Sequence, residues 1–300
     1  MPGPAAASRF IDPRTLAALG DLTLAAHTVV DGFMYGVHHS RMPGPGLEFS
    51  QYRSYQPGDD LRRVDWKLFA RSDRYFLREA DTDTSIAVHL VLDASESMAQ
   101  EDQGLSKFDY ARMLVAALAV LAQRQGDAVG LYPIAGSPVP VEPPRRQQQH
   151  LVRVLHALGR LAPAGTWPAW DDLEGVFTVG GQRGIVVVVT DLHERESEIS
   201  TVAAKLVALR HEVLLLHVVS RTELAFPYHG VVTLEELETG RRIEVNADAV
   251  RPAYLAAQER ESTDRRRALE EQRVDYARFR TDQPLDAALR QYLASRARRR

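Results

Sequence analysis

The sequence contains no cysteine. Disulfide bonds, thiolate zinc sites and cysteine nucleophiles are therefore excluded, and a reducing compartment is compatible with the composition. No run of about 18 apolar residues is present to span a bilayer. The N-terminus also lacks the basic segment and continuous apolar core of a signal peptide. We therefore expect a cytoplasmic protein without an integral membrane segment.

Signatures of the common enzyme classes are missing as well. The chain has no P-loop, no kinase motif and no serine in a glycine elbow. Its formal net charge of -3 provides no overall attraction to nucleic acid. With 45% hydrophobic residues in 300, the chain can bury one large core, or one core and a small companion domain.

What the sequence does contain is an apolar strand that ends in three side-chain oxygens. Residues 86–92 have the length and composition of a buried strand, and Asp93, Ser95 and Ser97 follow it directly. A helix capped by Ser106 is predicted next. The three oxygens therefore fall at the carboxyl end of a strand, where open α/β sheets bind ligands. Oxygen ligands are those that Mg²⁺ prefers.

Two later stretches place further oxygen ligands at strand or loop ends. Thr166 follows a helix-like segment, and Asp191 follows residues 184–189, the most β-branched apolar run of the chain. That run is a candidate central strand, so Asp191 also falls at a carboxyl end. The alternative for the first group is local, because aspartate and serine also form turns and cap helices.

This combination of D-x-S-x-S, threonine and aspartate resembles the metal-ion-dependent adhesion site of von Willebrand factor A-like domains. The five matching positions are Asp93, Ser95, Ser97, Thr166 and Asp191. Upstream, G-P-G-L-E-F at 44–49, R-S-Y-Q-P-G-D-D-L-R-R-V-D-W at 53–66 and A-R at 70–71 resemble the signature of the bacterial domain of unknown function 58 family. One departure is Trp167, which stands where a small polar or acidic residue commonly follows the threonine, and it bears on the surface around the metal rather than on the set of ligands.

The resemblance implies a metal-dependent protein–protein interaction module that is not an enzyme. Its cofactor would be a divalent metal, Mg²⁺ in the first place, with Mn²⁺ or Ca²⁺ as alternatives. Its partners would be a MoxR-type AAA+ ATPase and a client protein whose carboxylate completes the metal shell. Protein maturation or complex assembly would be the chaperone-like task.

The predicted fold is α/β: a von Willebrand factor A-like, Rossmann-like, mostly parallel sheet flanked by helices. We assign residues 1–84 to an N-terminal helix and a small charged β subdomain, and residues 85–300 to the main domain. The helix begins at Pro13 and ends near Gly36, and its apolar residues recur at helical spacing. The charged residues of 47–79 form either a structural ion-pair network or a recognition surface for an acidic partner. Later predicted elements are strands 128–134, 139–142, 212–219, 231–235, 242–245 and 274–279, and helices 147–161, 171–179, 197–210, 249–272 and 285–297. Gly136 and Ser137 form the turn of a hairpin between the first two of these strands.

Two other functions stay open from the sequence. A metal-dependent phosphohydrolase would combine Asp93 with Glu96 or His193 as the base that activates water. A nucleic-acid-binding protein would use the arginine-rich segment and the C-terminal arginines, and its binding would depend steeply on salt concentration.

Overall fold

The computed structural model describes residues 12–40, 52–54, 76–78, 86–136, 139–178, 183–193, 197–237 and 239–297. They fall into two compact units. The smaller unit lies within His39–Ser85, where β1 (Tyr52–Ser54) pairs antiparallel with β2 (Phe76–Arg78). The rest of the charged segment 47–79 lies outside the described residues.

The larger unit contains the other described residues, within Met1–His38 and Ile86–Arg300. Its strands are β3 (Ala87–Asp93), β4 (Glu101–Asp102), β5 (Leu105–Ser106), β6 (Ala128–Ile134), β7 (Glu142–Arg145), β8 (Gly184–Thr190), β9 (Glu212–Val219), β10 (Val231–Glu235), β11 (Arg242–Asn246) and β12 (Asp275–Arg280). Its helices are α1 (Pro13–Ala18), α2 (Leu22–Ser40), α3 (Lys107–Arg124), α4 (Gln148–Arg160), α5 (Trp170–Thr178), α6 (Glu198–Ala208), α7 (Arg221–Ala225), α8 (Ala247–Glu271) and α9 (Leu285–Ala297).

Six of these strands form the central sheet, in the order β12-β9-β8-β3-β6-β7. Every neighbouring pair is parallel except β6 and β7. Parallel strands are covered on both faces, which explains why β3 and β8 read as continuous apolar runs. The predicted fold class, a mostly parallel sheet flanked by helices, is confirmed.

Alternate residues of each central strand enter two separate cores. Leu90 and Leu92 pack into the core that contains residues of α1, α2, α3, α4 and α9. Val91, between them, packs into the core that contains residues of α5, α6 and α8. This alternation follows from the two-residue period of a strand. Burial on both faces holds the sheet rigidly, so its loops have a fixed support.

The N-terminal part differs from the prediction in two ways. The single helix expected from Pro13 to about Gly36 is two helices, α1 and α2. The chain turns between them at Gly20, which has a φ of 66°, and the Asp21 carboxylate accepts a hydrogen bond from Leu24 N at 3.0 Å. A helix cannot continue through a left-handed residue, and the aspartate caps the next one.

The second difference is the grouping of the N-terminal helices with the β subdomain, whereas the division predicted after residue 84 lies within one residue of the change of unit between Ser85 and Ile86. α1 and α2 belong to the larger unit, because Leu16, Ala26 and Val29 are buried in its first core. Their apolar stripe was visible in the sequence, but its packing partner was not. The elements predicted from residue 86 onward agree with the structure to within two residues at each end, except β7, which begins at Glu142 instead of residue 139. No helix in the described part of the chain combines the length and apolar character needed to cross a bilayer.

His217 is a buried histidine of β9 that pairs in register with Thr190, the residue before Asp191. Its Nδ1 lies 2.8 Å from the hydroxyl of Tyr276 on β12. Burial lowers the pKa of His217 to about 3, and the positive charge of Arg265 acts in the same direction. The unfolded chain therefore binds a proton at His217 at a higher pH than the folded chain does.

We predict that this histidine makes the fold acid-sensitive. Between the ordinary histidine pKa and about 3, the free energy of unfolding should fall as pH falls, with a slope from His217 of up to about 1.4 kcal/mol per pH unit. His217→Gln keeps a polar group near Tyr276 and removes the titration. Urea unfolding at several pH values should give a shallower acid slope for the variant. Equal slopes would contradict the assignment.

Candidate metal centre

The strand β3 delivers the first three predicted ligands. Asp93 is its last residue and is completely buried. Ser95 caps the short 3-10 helix Glu96–Ala99, which contains Ser97. The Ser95 N–H donates to Asp93 Oδ1 at 2.9 Å, and the two serine hydroxyls lie 3.0 Å apart. The local turn therefore gathers three oxygen groups at the end of one strand.

The adjacent parallel strand β8 positions the fourth predicted ligand, Asp191. Asp191 follows its last residue, and Asp191 Oδ1 accepts hydrogen bonds from the Ser97 hydroxyl at 3.3 Å and from His193 N at 3.1 Å. Because β3 and β8 are parallel neighbours, their carboxyl ends meet at the same edge of the sheet. The structure thus brings Asp93, Ser95, Ser97 and Asp191 together.

Thr190 also belongs to this cluster, although the sequence analysis did not select it. Its hydroxyl donates to Asp93 Oδ2 at 2.6 Å and accepts from Leu192 N at 3.0 Å. Thr190 pairs in register with His217 of β9, so it is held by the sheet itself. Its position immediately before Asp191 was the available signal. Thr190 orients the Asp93 carboxylate.

The Thr166 loop reaches the same edge through its backbone. Ala164 N donates to Ala94 O, and Glu96 N donates to Gly165 O, each at 2.8 Å. The Thr166 side chain is partly exposed, and in the described part of the chain it makes no hydrogen bond to the other four predicted ligands. Its loop is placed as expected, whereas its role as a ligand stays a prediction.

Two glycines allow this loop to approach. Gly165 has a φ of 69°, and a Cβ on it would lie 2.6 Å from the Cα of Gly136. A Cβ on Gly136 would lie 2.7 Å from the Cα of Gly165. Real Cβ atoms do not approach backbone so closely, so both positions require glycine. The turn predicted at Gly136 is therefore part of the site's framework.

Trp167 does not contribute to the surface around the site. It is 6% exposed and packs with the second core, which also contains Tyr132, Ile134 and Leu173. The sequence analysis treated it as a departure that changes the surface beside the metal. The structure corrects this, because burial of the indole removes it from solvent.

Lys107 is the functional residue that the sequence analysis missed. It is the first residue of α3, and its side chain is 4% exposed. Its Nζ donates to Asp191 Oδ2 at 2.6 Å and to Glu223 Oε1 at 2.8 Å. A cation at a helix N-terminus opposes the helix dipole. That unfavourable position, directly after the capping Ser106, was the signal in the sequence.

The two carboxylates consequently differ in their electrostatics. Burial alone would raise the pKa of Asp191, but the charge and hydrogen bond of Lys107 hold it below its usual value. Burial would lower the pKa of Lys107, but Asp191 and Glu223 raise it, so the lysine stays protonated. Burial raises the pKa of Asp93 to about 7, and the nearby charge of Asp191 adds to the increase.

The donor set fits a hard divalent cation. Asp93 receives hydrogen bonds from Ser95 N and the Thr190 hydroxyl, and no cationic side chain of the described chain pairs with it. Carboxylate and hydroxyl oxygens suit Mg²⁺, Mn²⁺ or Ca²⁺, whereas softer metals prefer nitrogen and sulfur ligands. Among the described residues no group of three or more His, Cys, Asp or Glu is placed to hold a metal ion. Hydroxyls and waters would therefore complete the shell.

The residues considered as hydrolytic bases are less suitable. Glu96 and His193 are both exposed, and His193 contacts the cluster through its backbone N–H. The nitrogen that is buried beside Asp191 belongs to Lys107, which is protonated. Neither of the two candidate bases is therefore buried next to the cluster.

Residues 51–264 match the family described as "Protein of unknown function DUF58". The chain is similar to the uncharacterized protein Rv1480 of Mycobacterium tuberculosis and to the uncharacterized protein Mb1516 of Mycobacterium bovis. Each is 30% identical over 291 residues, which cover 96% of this chain and 91% of the relative.

Two solved structures with related folds come from Bacteroides. The conserved hypothetical protein BatB from Bacteroides thetaiotaomicron is 16% identical, with a TM-score of 0.46, over 71% of this chain and 100% of that one. An aerotolerance-related membrane protein from Bacteroides fragilis is 18% identical, with a TM-score of 0.47, over 70% of this chain and 100% of that one. A third structure, the SpRpn10 VWA domain, is 15% identical, with a TM-score of 0.41, over 69% of this chain and 95% of that one.

We predict that Lys107 is essential because it neutralises Asp191. Lys107→Met should lower the free energy of unfolding by about 3 kcal/mol or more, since it leaves a buried carboxylate without its partner. The double variant Lys107→Met/Asp191→Asn removes both charges and should cost much less. Urea unfolding of the three proteins measures the difference.

The exposed lysine of α6 provides the matched control. Lys205→Met should change the free energy of unfolding by no more than about 0.5 kcal/mol, because Lys205 is solvent-exposed. A double variant as unstable as Lys107→Met would show that packing of the lysine side chain, and not its charge, is what matters.

Proposed function

The chain belongs to the DUF58 family, and from this premise we propose that it is a non-enzymatic protein-interaction module that recognises its partner through a bound divalent cation. The family match supports the comparison with adhesion-type metal sites. The site at the carboxyl edge of β3 and β8 supports the cation. Mg²⁺ is the proposed ion, because the donor set consists of hard oxygens.

The observation that carries the proposal is the Asp93 carboxylate. It is completely buried beside a second carboxylate, and in the described part of the chain it has no cationic partner. Burying an ionised carboxylate without a counter-charge is unfavourable. A cation bound among Asp93, Ser95, Ser97 and Asp191 would remove that cost. Neighbouring Asp191 already has a counter-charge in Lys107, so Asp93 is the carboxylate whose charge the cation would balance.

The charges of the site also indicate what kind of partner it would bind. Asp93 and Asp191 are the two charged ligands proposed for the cation, and the remaining ones are neutral hydroxyls, while Lys107 and Glu223 beside Asp191 offset each other. A dication held by so few charged ligands would keep open coordination positions, and a carboxylate oxygen of a partner is a ligand that suits them. Thr166, on the loop that borders the edge, would take part in the same shell.

The proposed partners are a MoxR-type AAA+ ATPase and a client protein that supplies the carboxylate. Support for the ATPase comes from the family resemblance alone. Support for the carboxylate comes from the small number of charged ligands in the site. The task would be maturation or assembly of the client, with the ATPase performing the mechanical work.

A metal-dependent phosphohydrolase is the weaker alternative. It requires a base next to the attacking water, and the described candidates, Glu96 and His193, are solvent-exposed. Lys107 is already committed to two carboxylates as a cation. Turnover of phosphate esters by the purified protein, lost in Asp93→Ala, would favour the hydrolase over the interaction module.

We predict that Mg²⁺ stabilises the protein through Asp93. A ligand that binds only the folded state raises the free energy of unfolding by about 2.7 kcal/mol when its free concentration is about 100 times Kd. Titration with Mg²⁺ should therefore raise the midpoint of urea unfolding in the wild type. Asp93→Ala should abolish the increase, and Ser95→Ala should weaken it, because losing a carboxylate removes a charge as well as an oxygen.

An exposed aspartate of α8 serves as the control for charge. Asp264→Ala should show the full Mg²⁺ response, because Asp264 is exposed and its ion-pair partner is Arg267 of the same helix. A wild type that does not respond to Mg²⁺, Mn²⁺ or Ca²⁺ would overturn the metal part of the proposal. A response that survives in Asp93→Ala would place the cation elsewhere.

We further predict that partner capture depends on the metal. The tagged wild type should retain an AAA+ ATPase or client from native lysate in Mg²⁺, and should lose it in EDTA. Asp93→Ala should lose it in both conditions while remaining folded, and Asp264→Ala should behave as wild type. Quantitative mass spectrometry of the retained proteins measures this. Equal retention in EDTA would show that the metal site is not the recognition element.

A further inference from the structure

A second candidate surface lies at the outer edge of the sheet. β12 is the end strand, and within the described chain β9 is the one strand that pairs with it. Its other edge opens into a groove of about 370 Å³ between α8 and α9. All six residues of β12 line this groove, together with Ser262 and Arg266 of α8 and Ala288 and Tyr292 of α9.

The backbone of β12 is suited to accept another strand. An edge strand presents unpaired N–H and C=O groups, and proteins usually protect such an edge with a proline, a bulge, a covering segment or charged side chains. β12 has six residues and no proline, and it pairs with β9 in regular register along its full length. Of these protections, the described part of the chain uses charged side chains, which disfavour an apolar strand and favour one of opposite charge.

The two sides of this edge differ in chemistry. On the α8 side, Arg278 extends to Ser262, whose hydroxyl accepts a long hydrogen bond at 3.5 Å. On the α9 side, Phe279 packs edge-on against Tyr292, with 6.1 Å between the ring centroids. Side chains of a strand alternate between faces. An added strand would therefore meet cations on one face and apolar groups on the other.

Charged groups of the groove are mainly cationic. Four charged side chains line it: Asp275, Arg266, Arg278 and Arg280. Arg278 is exposed, its hydrogen-bond partner is a neutral hydroxyl, and no carboxylate of the described chain lies within ion-pair distance of it. It is therefore available to pair with a carboxylate of a partner.

The other charges of the groove are already balanced within the chain. Arg266 pairs with Glu270 at 3.0 Å, and Arg280 pairs with Asp282 at 2.6 Å. Asp275 accepts a hydrogen bond from a tyrosine of α9 and lies 3.6 Å from an arginine of the same helix. The Arg266–Glu270 pair is exposed and contributes little, so a partner can compete for Arg266. Arg280 donates two hydrogen bonds to the Asp282 carboxylate, so it stays paired within the chain.

We propose that the outer edge of β12 binds an extended acidic segment of another protein by strand addition. Backbone hydrogen bonds to β12 provide affinity, and acidic side chains at alternate positions contact Arg278 and its neighbours. The residues between them are apolar and pack towards Ala288 and Tyr292. The interaction goes beyond the proposed function, since it needs neither the cation nor Asp93.

The test is a fluorescein-labelled peptide of alternating valine and glutamate, titrated with the full-length protein in fluorescence anisotropy. We expect binding, and we expect Arg278→Glu to weaken it at least about tenfold, because attraction becomes repulsion. Arg267→Glu changes an exposed arginine of α8 outside the groove and should leave the affinity unchanged. A peptide with lysine in place of glutamate should not bind.

Two N-methylated forms of the peptide test the backbone contribution. One form is methylated on the valine amides and the other on the glutamate amides. Alternate amides of a strand point to the same edge, so each form blocks hydrogen bonding along one edge of the peptide. The form that is methylated on the edge facing β12 should lose binding. Equal binding of both forms and the parent peptide would overturn strand addition. Equal binding by wild type and Arg278→Glu would overturn the acidic specificity, and so would absence of binding up to about millimolar concentrations.

The same titration separates this proposal from the metal site. Binding should be identical in Mg²⁺, in EDTA and in Asp93→Ala, and loss in EDTA would show that the peptide occupies the metal site instead. Sedimentation tests the other possible occupant of the β12 edge, which is a second copy of the chain. Dimers of the wild type that Arg278→Glu dissociates would assign the edge to self-association and overturn the proposal.

Discussion

The burial of two carboxylates side by side at adjacent strand ends is the constraint that organises this protein. Like charges in a protein interior repel, and each also loses its hydration. Lys107, in the first turn of α3, compensates the charge of one of the two carboxylates, because it forms an ion pair with Asp191. The Asp93 carboxylate receives two hydrogen bonds and no intramolecular cation in the described chain. The fold thus leaves the Asp93 carboxylate without a positive counter-charge, and this deficit is what the proposed cation would fill.

Such a deficit can persist only on a rigid support. β3 and β8 are buried on both faces, because alternate residues enter separate cores, and their parallel pairing fixes the distance between the two strand ends. The third loop is fixed by the contact between Gly136 and Gly165, where two backbones meet without side chains. Glu223 connects the site to α8 as well, since its backbone oxygen accepts from Tyr254 and Gln258 while its carboxylate binds Lys107. These supports therefore keep the two carboxylates close together, although their charges repel each other.

Sequence reasoning located the parts of the site that depend on local pattern. Apolar runs identified β3 and β8, and the rule that ligands bind at carboxyl ends of parallel strands placed Asp93 and Asp191 at one edge. It missed Lys107, because its ion pairs join residues that are 84 and 116 positions apart. Periodicity within one helix contains no information about such contacts. For the same reason, the apolar stripe of the N-terminal helix was recognised, but its packing in the core of the larger unit was not.

The two proposed surfaces rely on different forces but lie near each other. β12 runs parallel to β9, and β9 to β8, so the carboxyl end of β12 reaches the edge that carries Asp191. A strand added to β12 would lie three strand spacings, or about 14 Å, from β8. A few residues of extended chain cross that distance. One acidic segment that leaves β12 towards this edge would therefore reach the cation with a terminal carboxylate, and the second contact would form at high effective concentration. Two weak contacts on rigid neighbouring surfaces would then give a specific interaction without a large apolar interface.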